Sequence, residues 1–208
     1  MPAITPSLSP ATADLNSRQT IRARIRQARR ELSFAQQQQY ANTAMAPMLA
    51  ALLSKNARSV AAYLSNDGEL DTRPLIDALW STGIDVYLPR LHPFSKGNLI
   101  FLRYQPTTPL QKNHLGIWEP ALDIRQLILP QQLDVVITPL VAFDSQGNRM
   151  GMGGGYYDRT LANWQQQGKP LPVGYAHNCQ QVAKLDQAHW DVPLPLIVTP
   201  QQVFEFVK

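Results

Sequence analysis

The stretch L-D-V-V-I-T-P-L-V-A-F-D, residues 133–144, is the strongest strand signal in the chain. Its apolar and β-branched residues run almost without interruption, which is typical of a strand buried on both faces. A glycine-rich loop follows it, and Y-D-R-T-L-A-N-W, residues 157–164, then has the pattern of a helix start. A strand, a loop and a helix in this order indicate an α/β unit.

The rest of the chain repeats this alternation. The pattern predicts helices over 14–32, from Ser33 as N-cap to about Ser54, and from a cap at Asp71 or Thr72. It predicts further strands over 58–64, 84–89, 98–104, 171–176 and 196–199. Connections of this length favour parallel pairing, so we expect a three-layer α/β fold. In such folds ligands bind at the carboxyl ends of the strands.

Length and composition fit one soluble domain. The chain has 208 residues, and we expect a disordered leader over 1–13 followed by a single domain over 14–208. The leader lacks the basic and apolar regions of a secretory signal, although an organellar transit peptide stays open as an alternative. The single cysteine, Cys179, excludes an internal disulfide. No run approaches the roughly 18 apolar residues that span a bilayer, so we expect a cytoplasmic protein.

The first predicted helix is strongly basic, although the net charge of the chain is only +4. At about 100° per residue its apolar stripe has an arginine stripe beside it. The apolar stripe is Ile21, Ile25, Ala28 and Leu32, and the arginine stripe is Arg18, Arg22, Arg26 and Arg29. Arg24 and Arg30 lie off the stripe, where we expect them to be solvated. Such a local excess of charge indicates either an anionic partner or a solvated basic face.

The glycine-rich loop R-M-G-M-G-G-G-Y-Y-D-R-T-L, residues 149–161, has the chemistry of a phosphate site. Glycine lets backbone N–H groups approach an anion closely, and a following helix adds the positive end of its dipole. Arg149 and Arg159 flank the loop with cations, and Asp158 could hold Mg²⁺. Neither common phosphate-binding fingerprint is present, so a plain surface loop is the alternative.

Five segments, in order, resemble the 5-formyltetrahydrofolate cyclo-ligase family. Residues 139–161 are similar to the family signature nearly position for position. Weaker matches are R-Q-T-I-R (18–22), Y-L-S-N-D-G-E-L-D-T (63–72), G-I-W-E-P (116–120) and H-W-D-V-P-L-P-L-I-V-T (189–199). The resemblance covers roughly residues 18–200 and implies a Rossmann-like fold with a mostly parallel sheet, related to sugar-phosphate isomerases and CoA transferases.

The resemblance also implies a reaction and its site. The enzyme would convert 5-formyltetrahydrofolate to 5,10-methenyltetrahydrofolate with ATP and Mg²⁺, as a monomer that acts on small molecules and not on nucleic acid or membranes. ATP would contact Arg18, Arg22, Arg149, Met150, Gly151, Met152, Gly153, Gly154, Gly155, Tyr156 and Tyr157. The folate would contact Leu64, Glu69, Trp118, Gly153, Gly155 and Tyr156. Asp158 and Asp191 would hold the metal, and the catalytic residues would be Arg149, Tyr156 and Asp158.

The chain departs from the family pattern at three positions. Many members have Lys where Arg18 stands, and some have a basic residue where Gly154 stands. A second acid often found four residues after Asp191 is Pro195 here, which puts a two-carboxylate arrangement in that segment in doubt.

Two other functions are open on the residues alone. A sugar-phosphate isomerase or acyl-CoA transferase relative would share the fold but need a committed base or nucleophilic carboxylate and no ATP. A nucleic-acid binder would use the arginine stripe, but only Phe34 and Tyr40 lie near it for base stacking.

Overall fold

The computed structural model of the protein describes residues 17–206, so the leader expected over 1–13 lies outside the described residues. The helices are α1 (Arg18–Arg30), α2 (Phe34–Ser54), α3 (Arg73–Ser81), α4 (Tyr156–Leu161) and α5 (Trp164–Gln167). The strands are β1 (Ser59–Ala61), β2 (Asp85–Leu91), β3 (Leu99–Arg103), β4 (Leu110–Lys112), β5 (Trp118–Pro120), β6 (Leu127–Ile128), β7 (Val135–Thr138), β8 (Ala142–Phe143), β9 (Arg149–Met150), β10 (Leu171–Tyr175), β11 (Leu196–Val198) and β12 (Val203–Glu205). Among residues 17–206, no helix is both long and apolar enough to cross a membrane.

The main sheet has eight strands in the order β12-β11-β10-β7-β1-β2-β3-β6. The central run from β11 to β2 is parallel throughout, and β12, β3 and β6 pair antiparallel at the edges. The parallel strands follow the doubly wound order 2-1-3-4-5, whose direction of winding reverses between β1 and β7. The predicted three-layer α/β fold with a mostly parallel sheet is confirmed, and β1 and β7 flank its switch point.

Helices cover both faces of this sheet. Val60 and Val135 contact the cluster formed with α2 and α3, whereas the next residues along, Ala61 and Val136, contact the cluster that contains Leu161 of α4. Side chains on a strand alternate between the two faces, so both sides of β1 and β7 are buried. This explains why these strands appear in the sequence as continuous apolar runs.

The predicted starts of α2 and α3 are confirmed, whereas α1 begins at Arg18 and not at the predicted residue 14. Ser33 and Gln36 form a capping box at α2: the Gln36 backbone N donates to Ser33 Oγ at 3.3 Å, and the Ser33 N donates to Gln36 Oε1 at 2.9 Å. Thr72 is the N-cap of α3, with Pro74 in the first turn. Ser17 caps α1 through the Thr20 backbone N at 3.2 Å.

The stretch 133–144 is not one continuous strand, which corrects the prediction. The main-sheet strand β7 ends at Thr138, and the chain turns at Pro139, which has no N–H to continue the ladder. Residues beyond it form β8, which pairs antiparallel with β9 in a separate two-stranded ribbon. Ile21 and Ile25 of α1 pack against this ribbon rather than against the main sheet. The glycine-rich loop therefore leaves from the ribbon that α1 covers.

Candidate active site

Two segments meet at the switch point of the sheet. The segment that leaves β1 at Ala61 leads to Glu69, and the segment that leaves β7 at Thr138 leads through the ribbon to the glycine-rich loop. The strands are parallel, so both segments start at the same edge of the sheet. A crevice at this position is where doubly wound folds bind ligands.

Helix α1 closes one side of the glycine-rich loop. Arg22 Nε donates to the carbonyl O of Gly151 at 2.8 Å. A side chain on Gly153 would lie 3.7 Å from the Arg22 guanidinium, so this cation lies along the exposed loop backbone. The structure brings together the two segments that the sequence predicted to share a site, although they are 129 residues apart.

Arg159 gives the glycine-rich loop its shape. It donates to the carbonyl O of Gly97 at 2.7 Å and to the carbonyl O of Gly154, and its guanidinium lies 5.7 Å from the centre of the Tyr156 ring. Gly155 has a φ of 65°, and a side chain on Gly154 would come within 2.7 Å of Tyr156. Helix α4 has only six residues, so its dipole adds less than the sequence suggested.

Arg149 points into the protein. Its side chain is only 2% exposed and forms an ion pair with Asp158, which also accepts from the backbone N of Val192 at 3.2 Å. The sequence placed Arg149 beside the loop as a cation for phosphate oxygens, but the side chain reaches Asp158 instead. Its predicted role in ATP binding and catalysis would therefore act through Asp158.

Asp191 lies on the other side of the loop and is held by Arg18. Arg18 Nη1 and Nη2 donate to its two carboxylate oxygens at 2.7 and 3.2 Å, and the backbone N of Ala188 donates at 2.9 Å. Burial raises the pKa of Asp191, but the hydrogen bonds from Arg18 and Ala188 outweigh it, so the pKa lies below its ordinary value. The carboxyl group is therefore ionised at neutral pH.

A cavity of about 520 Å³ joins the two predicted metal carboxylates to the loop. Its walls include Gly153, Gly154, Gly155, Asp158, Trp164, His189, Trp190 and Asp191. Trp190 is 61% exposed and its ring packs edge-on against His189. The volume and the mixture of aromatic and charged walls suit a small ligand. Trp164 and Trp190 both belong to this wall.

Glu69 lies in the turn that follows β1, at the same edge of the sheet as the start of the glycine-rich segment, and it is not among the residues that line the 520 Å³ cavity. Its carboxylate accepts from the backbone N of Asn66 at 3.0 Å, within the turn that follows β1. Burial raises the pKa of Glu69 to about 7, although Asn66 and Arg29 oppose the change. The pKa of Tyr157 is raised by burial and then by the charge of Glu69, which shows that α4 and the Glu69 turn converge. Leu64 packs against the main core beside this turn.

Two predicted ligand residues, Trp118 and Met150, are not among the residues that line this cavity. Trp118 is half-exposed on β5, with Lys112 Nζ 5.3 Å from its ring centre. Its neighbour Glu119 is buried and pairs with Arg90 at 2.8 Å. Met150 is 1% exposed and packs under α1, so only its backbone is available to a ligand, whereas Met152 is exposed.

Comparisons with known proteins identify the family of the chain. A sequence model of the family described as "5-formyltetrahydrofolate cyclo-ligase family" matches residues 14–200. The chain belongs to this family. A 5-formyltetrahydrofolate cyclo-ligase of Escherichia coli K12 is 56% identical over 182 residues, which cover 88% of this chain and all of the relative. The relative from Haemophilus influenzae is 50% identical over 85% of this chain and 94% of its own length.

Solved structures of cyclo-ligase relatives have the same fold. An NMR structure of Aquifex aeolicus 5,10-methenyltetrahydrofolate synthetase superimposes with a TM-score of 0.77 at 27% identity, covering 92% of this chain and 93% of that one. The Mycoplasma pneumoniae synthetase gives a TM-score of 0.69 over 88% of this chain and 98% of that chain. Its identity is 24%, so it supports the fold alone.

One charged cluster of the protein was not predicted from the sequence. The carboxylate of Asp67 accepts hydrogen bonds from Arg26, Arg29 and Arg30 of α1, and we call these residues the Asp67 cluster. Arg30 was expected to be free in solvent, but it pairs with Asp67 although its side chain is 57% exposed. Only the Asn-Asp-Gly turn was visible in the sequence, because the partners lie 37 to 41 residues apart.

Proposed function

We propose that this protein converts 5-formyltetrahydrofolate and ATP to 5,10-methenyltetrahydrofolate, ADP and phosphate, with Mg²⁺. The observation that supports the proposal is the pair that Arg22 forms with the glycine-rich loop, beside the cavity that Asp158 and Asp191 line. Glu69 follows β1 at the same edge of the sheet. Membership of the cyclo-ligase family supports the same reaction. A fold of this type also serves other chemistries, so the argument rests on the site.

The reaction needs an activated oxygen rather than a protein nucleophile. The formyl oxygen takes the γ-phosphoryl group of ATP, which breaks the bond to ADP and makes that oxygen a good leaving group. N10 then adds to the formyl carbon and loses its proton, and the carbon–oxygen bond breaks as phosphate departs. Phosphoryl transfer depends mainly on positioning and charge neutralisation, which arginines and a glycine-rich backbone supply.

The cationic side of the site would bind the phosphates. Arg22 makes one hydrogen bond, to the uncharged Gly151 carbonyl, and therefore keeps its positive charge available beside the exposed loop. Burial lowers the pKa of Arg22, and the neighbouring positive charge of Arg18 lowers it further. The surroundings of Arg22 therefore do not fully balance its positive charge. An anion bound at the loop would relieve this repulsion.

Asp158 and Asp191 are the residues that would hold Mg²⁺. Both line the cavity beside the glycine-rich loop, and each is now paired with one arginine. Within residues 17–206 no group of three or more acidic, His or Cys side chains forms a metal cluster. This fits an ion bound through one or two carboxylates together with substrate phosphates. The ion would neutralise charge on the phosphates during transfer.

Glu69 would bind the folate. An ionised carboxylate accepts hydrogen bonds, and the donor edge of the pterin ring presents N–H groups to it. With a pKa of about 7, Glu69 can supply that acceptor in its ionised form at neutral pH or above. Leu64 would add an apolar contact from the same segment, and Tyr156 a ring face from the glycine-rich loop.

The test is the absorbance of methenyltetrahydrofolate formed from 5-formyltetrahydrofolate. We expect product only with both ATP and Mg²⁺, and loss of activity when a chelator removes the metal. Product that forms equally well without ATP would favour the isomerase or transferase class instead. No product from well-folded protein would overturn the proposal. We further propose that the protein is cytoplasmic and monomeric. Size-exclusion chromatography of the purified chain would test the oligomeric state.

A further inference from the structure

The Asp67 cluster joins α1 to the turn that carries Glu69. Arg26 Nε and Arg30 Nε each donate to Asp67 at 2.6 Å, and Arg29 Nη2 donates at 3.2 Å. Arg29 is fully buried, and its Nη1 also donates to the Leu140 carbonyl at 3.4 Å. Hydrogen bonds between charged groups are the stronger kind, so three on one carboxylate fix the turn firmly to the helix.

The backbone of the turn has a conformation that few residues adopt. Asp67 has a φ of 51° and Gly68 a φ of 72°, both in the left-handed region. A side chain on Gly68 would lie 3.2 Å from the backbone C and O of Arg29, so the turn touches the helix backbone directly. Left-handed residues persist where the surroundings hold them, and here the arginines of α1 do so.

Glu69 is part of the same closed turn. Its backbone N donates to the Asn66 carbonyl at 3.0 Å, and its carboxylate accepts from the Asn66 N at 3.0 Å. Asp67 lies between the two residues that these bonds connect. Any shift of Asp67 relative to α1 would therefore move the Glu69 carboxylate.

The other half of α1 is fixed to the glycine-rich loop. Arg22 bonds the Gly151 carbonyl at 2.8 Å, and Ile21 and Ile25 pack on the ribbon from which the loop leaves. One helix thus contacts the proposed phosphate side and the proposed folate side. A contiguous packed element of this kind can carry coupling between two sites.

We propose that Asp67 is a positioning residue that couples nucleotide binding at the glycine-rich loop to folate binding at Glu69 through α1. This rests on the proposed function, since it names the ligands of that site. Nucleotide that binds beside Arg22 shifts α1 and with it the Asp67 cluster, which sets the Glu69 turn for the folate. By linkage, folate binding strengthens nucleotide binding by the same factor.

Asp67→Asn is the sharpest variant. Asparagine has nearly the same shape and accepts the left-handed conformation, so the turn keeps its backbone preference while the charge is lost. Asp123→Asn is the matched control, because Asp123 also accepts from an arginine, Arg125, in an exposed turn outside α1 and the Glu69 segment. Thermal unfolding of both variants records any loss of fold.

The measurement is calorimetric binding of 5-formyltetrahydrofolate with and without Mg²⁺ and a non-hydrolysable ATP analogue. In the parent protein and Asp123→Asn we expect the nucleotide to tighten folate binding by about fivefold or more. In Asp67→Asn we expect this factor to fall to about one, while the affinity for nucleotide alone changes less than about twofold.

Other outcomes would overturn the inference. Coupling that survives in Asp67→Asn, or that is absent from the parent protein, would show that Asp67 does not link the sites. Equal loss of both affinities with a lower melting temperature would make Asp67 a structural residue only. The product assay on the parent protein runs in parallel: product without coupling refutes the inference alone, whereas no product refutes the proposed function.

Discussion

The two halves of α1 use the same side chain in opposite ways. In the first half Arg18 donates to the Asp191 carboxylate and to the Asp186 carbonyl, and Arg22 donates to the Gly151 carbonyl of the glycine-rich loop. In the second half Arg26, Arg29 and Arg30 converge on the single carboxylate of Asp67. The first arrangement leaves the charge of Arg22 without an acidic partner among the residues that the structure describes, and the second fixes the position of a turn.

The arginines of the protein differ in burial and in bonding partner, although the residue type is the same. Arg22 is half-buried with an uncharged partner, so an incoming anion can use its charge. Arg29 and Arg149 are buried, and each is paired with a carboxylate. Removing either arginine would leave its carboxylate without a partner, which would lower the stability of the fold as well as the activity.

The largest expected effect is that of Arg149→Ala. We expect the free energy of unfolding to fall by about 3–5 kcal/mol, because Asp158 would keep a partly buried charge without its partner. Turnover should fall by about a hundredfold or more if Asp158 also loses its position. Urea unfolding and steady-state assays at saturating ATP measure the two effects separately.

A second substitution sharpens this result. Adding Asp158→Asn to Arg149→Ala removes the stranded charge, so we expect it to recover part of the lost stability but none of the activity. A single variant Arg149→Ala that keeps its full stability while ATP use fails would place Arg149 with Arg22 as a direct phosphate ligand instead.

Arg22→Gln should affect binding more than folding. The loss of a charged donor is expected to lower kcat/KM for ATP by about ten- to a hundredfold, while the free energy of unfolding falls by about 1 kcal/mol or less. Arg24→Gln, on the exposed face of the same helix, is the matched control and should change neither quantity. Equal effects of the two variants would mean that charge on α1 acts only through the general field of the helix.

The sequence predicted the fold, and the glycine-rich loop that follows the central strand, because those features depend on local patterns; the ligand roles of the site residues stay predictions. Capping by Ser33, the apolar run of β7 and the glycine-rich loop are each encoded within a few residues. The break at Pro139 was also readable, since proline cannot continue a ladder inside a sheet, but the apolar residues on both sides concealed it.

Long-range ion pairs could not be predicted in this way. Nothing near Arg149 indicates that it turns inward to Asp158, or that Arg18 meets Asp191 173 residues later. Which carboxylate an arginine reaches depends on how the ribbon, α1 and the main sheet pack together. Asn-Asp-Gly is a sequence typical of turns, but the left-handed backbone at Asp67 and its three arginine partners are seen only in the packed structure.

Glu69→Gln tests the electrostatic side of the turn. Glu69 has a folded pKa of about 7, above its ordinary 4.5, so its contribution to stability is full below about pH 4.5 and is lost as the pH rises to 7. The unfolding free energy of the parent protein relative to Glu69→Gln should therefore decrease over that window. The whole shift corresponds to about 3 kcal/mol, and partial exposure to solvent reduces our expectation to about 1–2 kcal/mol.

This difference is measured by urea unfolding of both proteins at several pH values, which cancels titrations that they share. Asp123→Asn serves as a control for the loss of an acidic side chain elsewhere. A difference that stays flat between pH 4.5 and 7 would mean that the folded pKa of Glu69 is not raised, and that its carboxylate is better hydrated than its position in the turn indicates.

Arg30→Gln has the smallest expected effect and tests what makes the Asp67 cluster rigid. Its side chain is 57% exposed, and an exposed ion pair contributes about 0–1 kcal/mol, so stability and folate affinity should hardly change. Arg29→Gln removes the fully buried partner of the same carboxylate and should cost clearly more in urea unfolding. Similar losses of stability from both substitutions would show that the arginines hold Asp67 through their combined charge. A clearly larger loss from Arg29→Gln would show that the buried hydrogen bond fixes the turn and that the exposed Arg30 pair adds little.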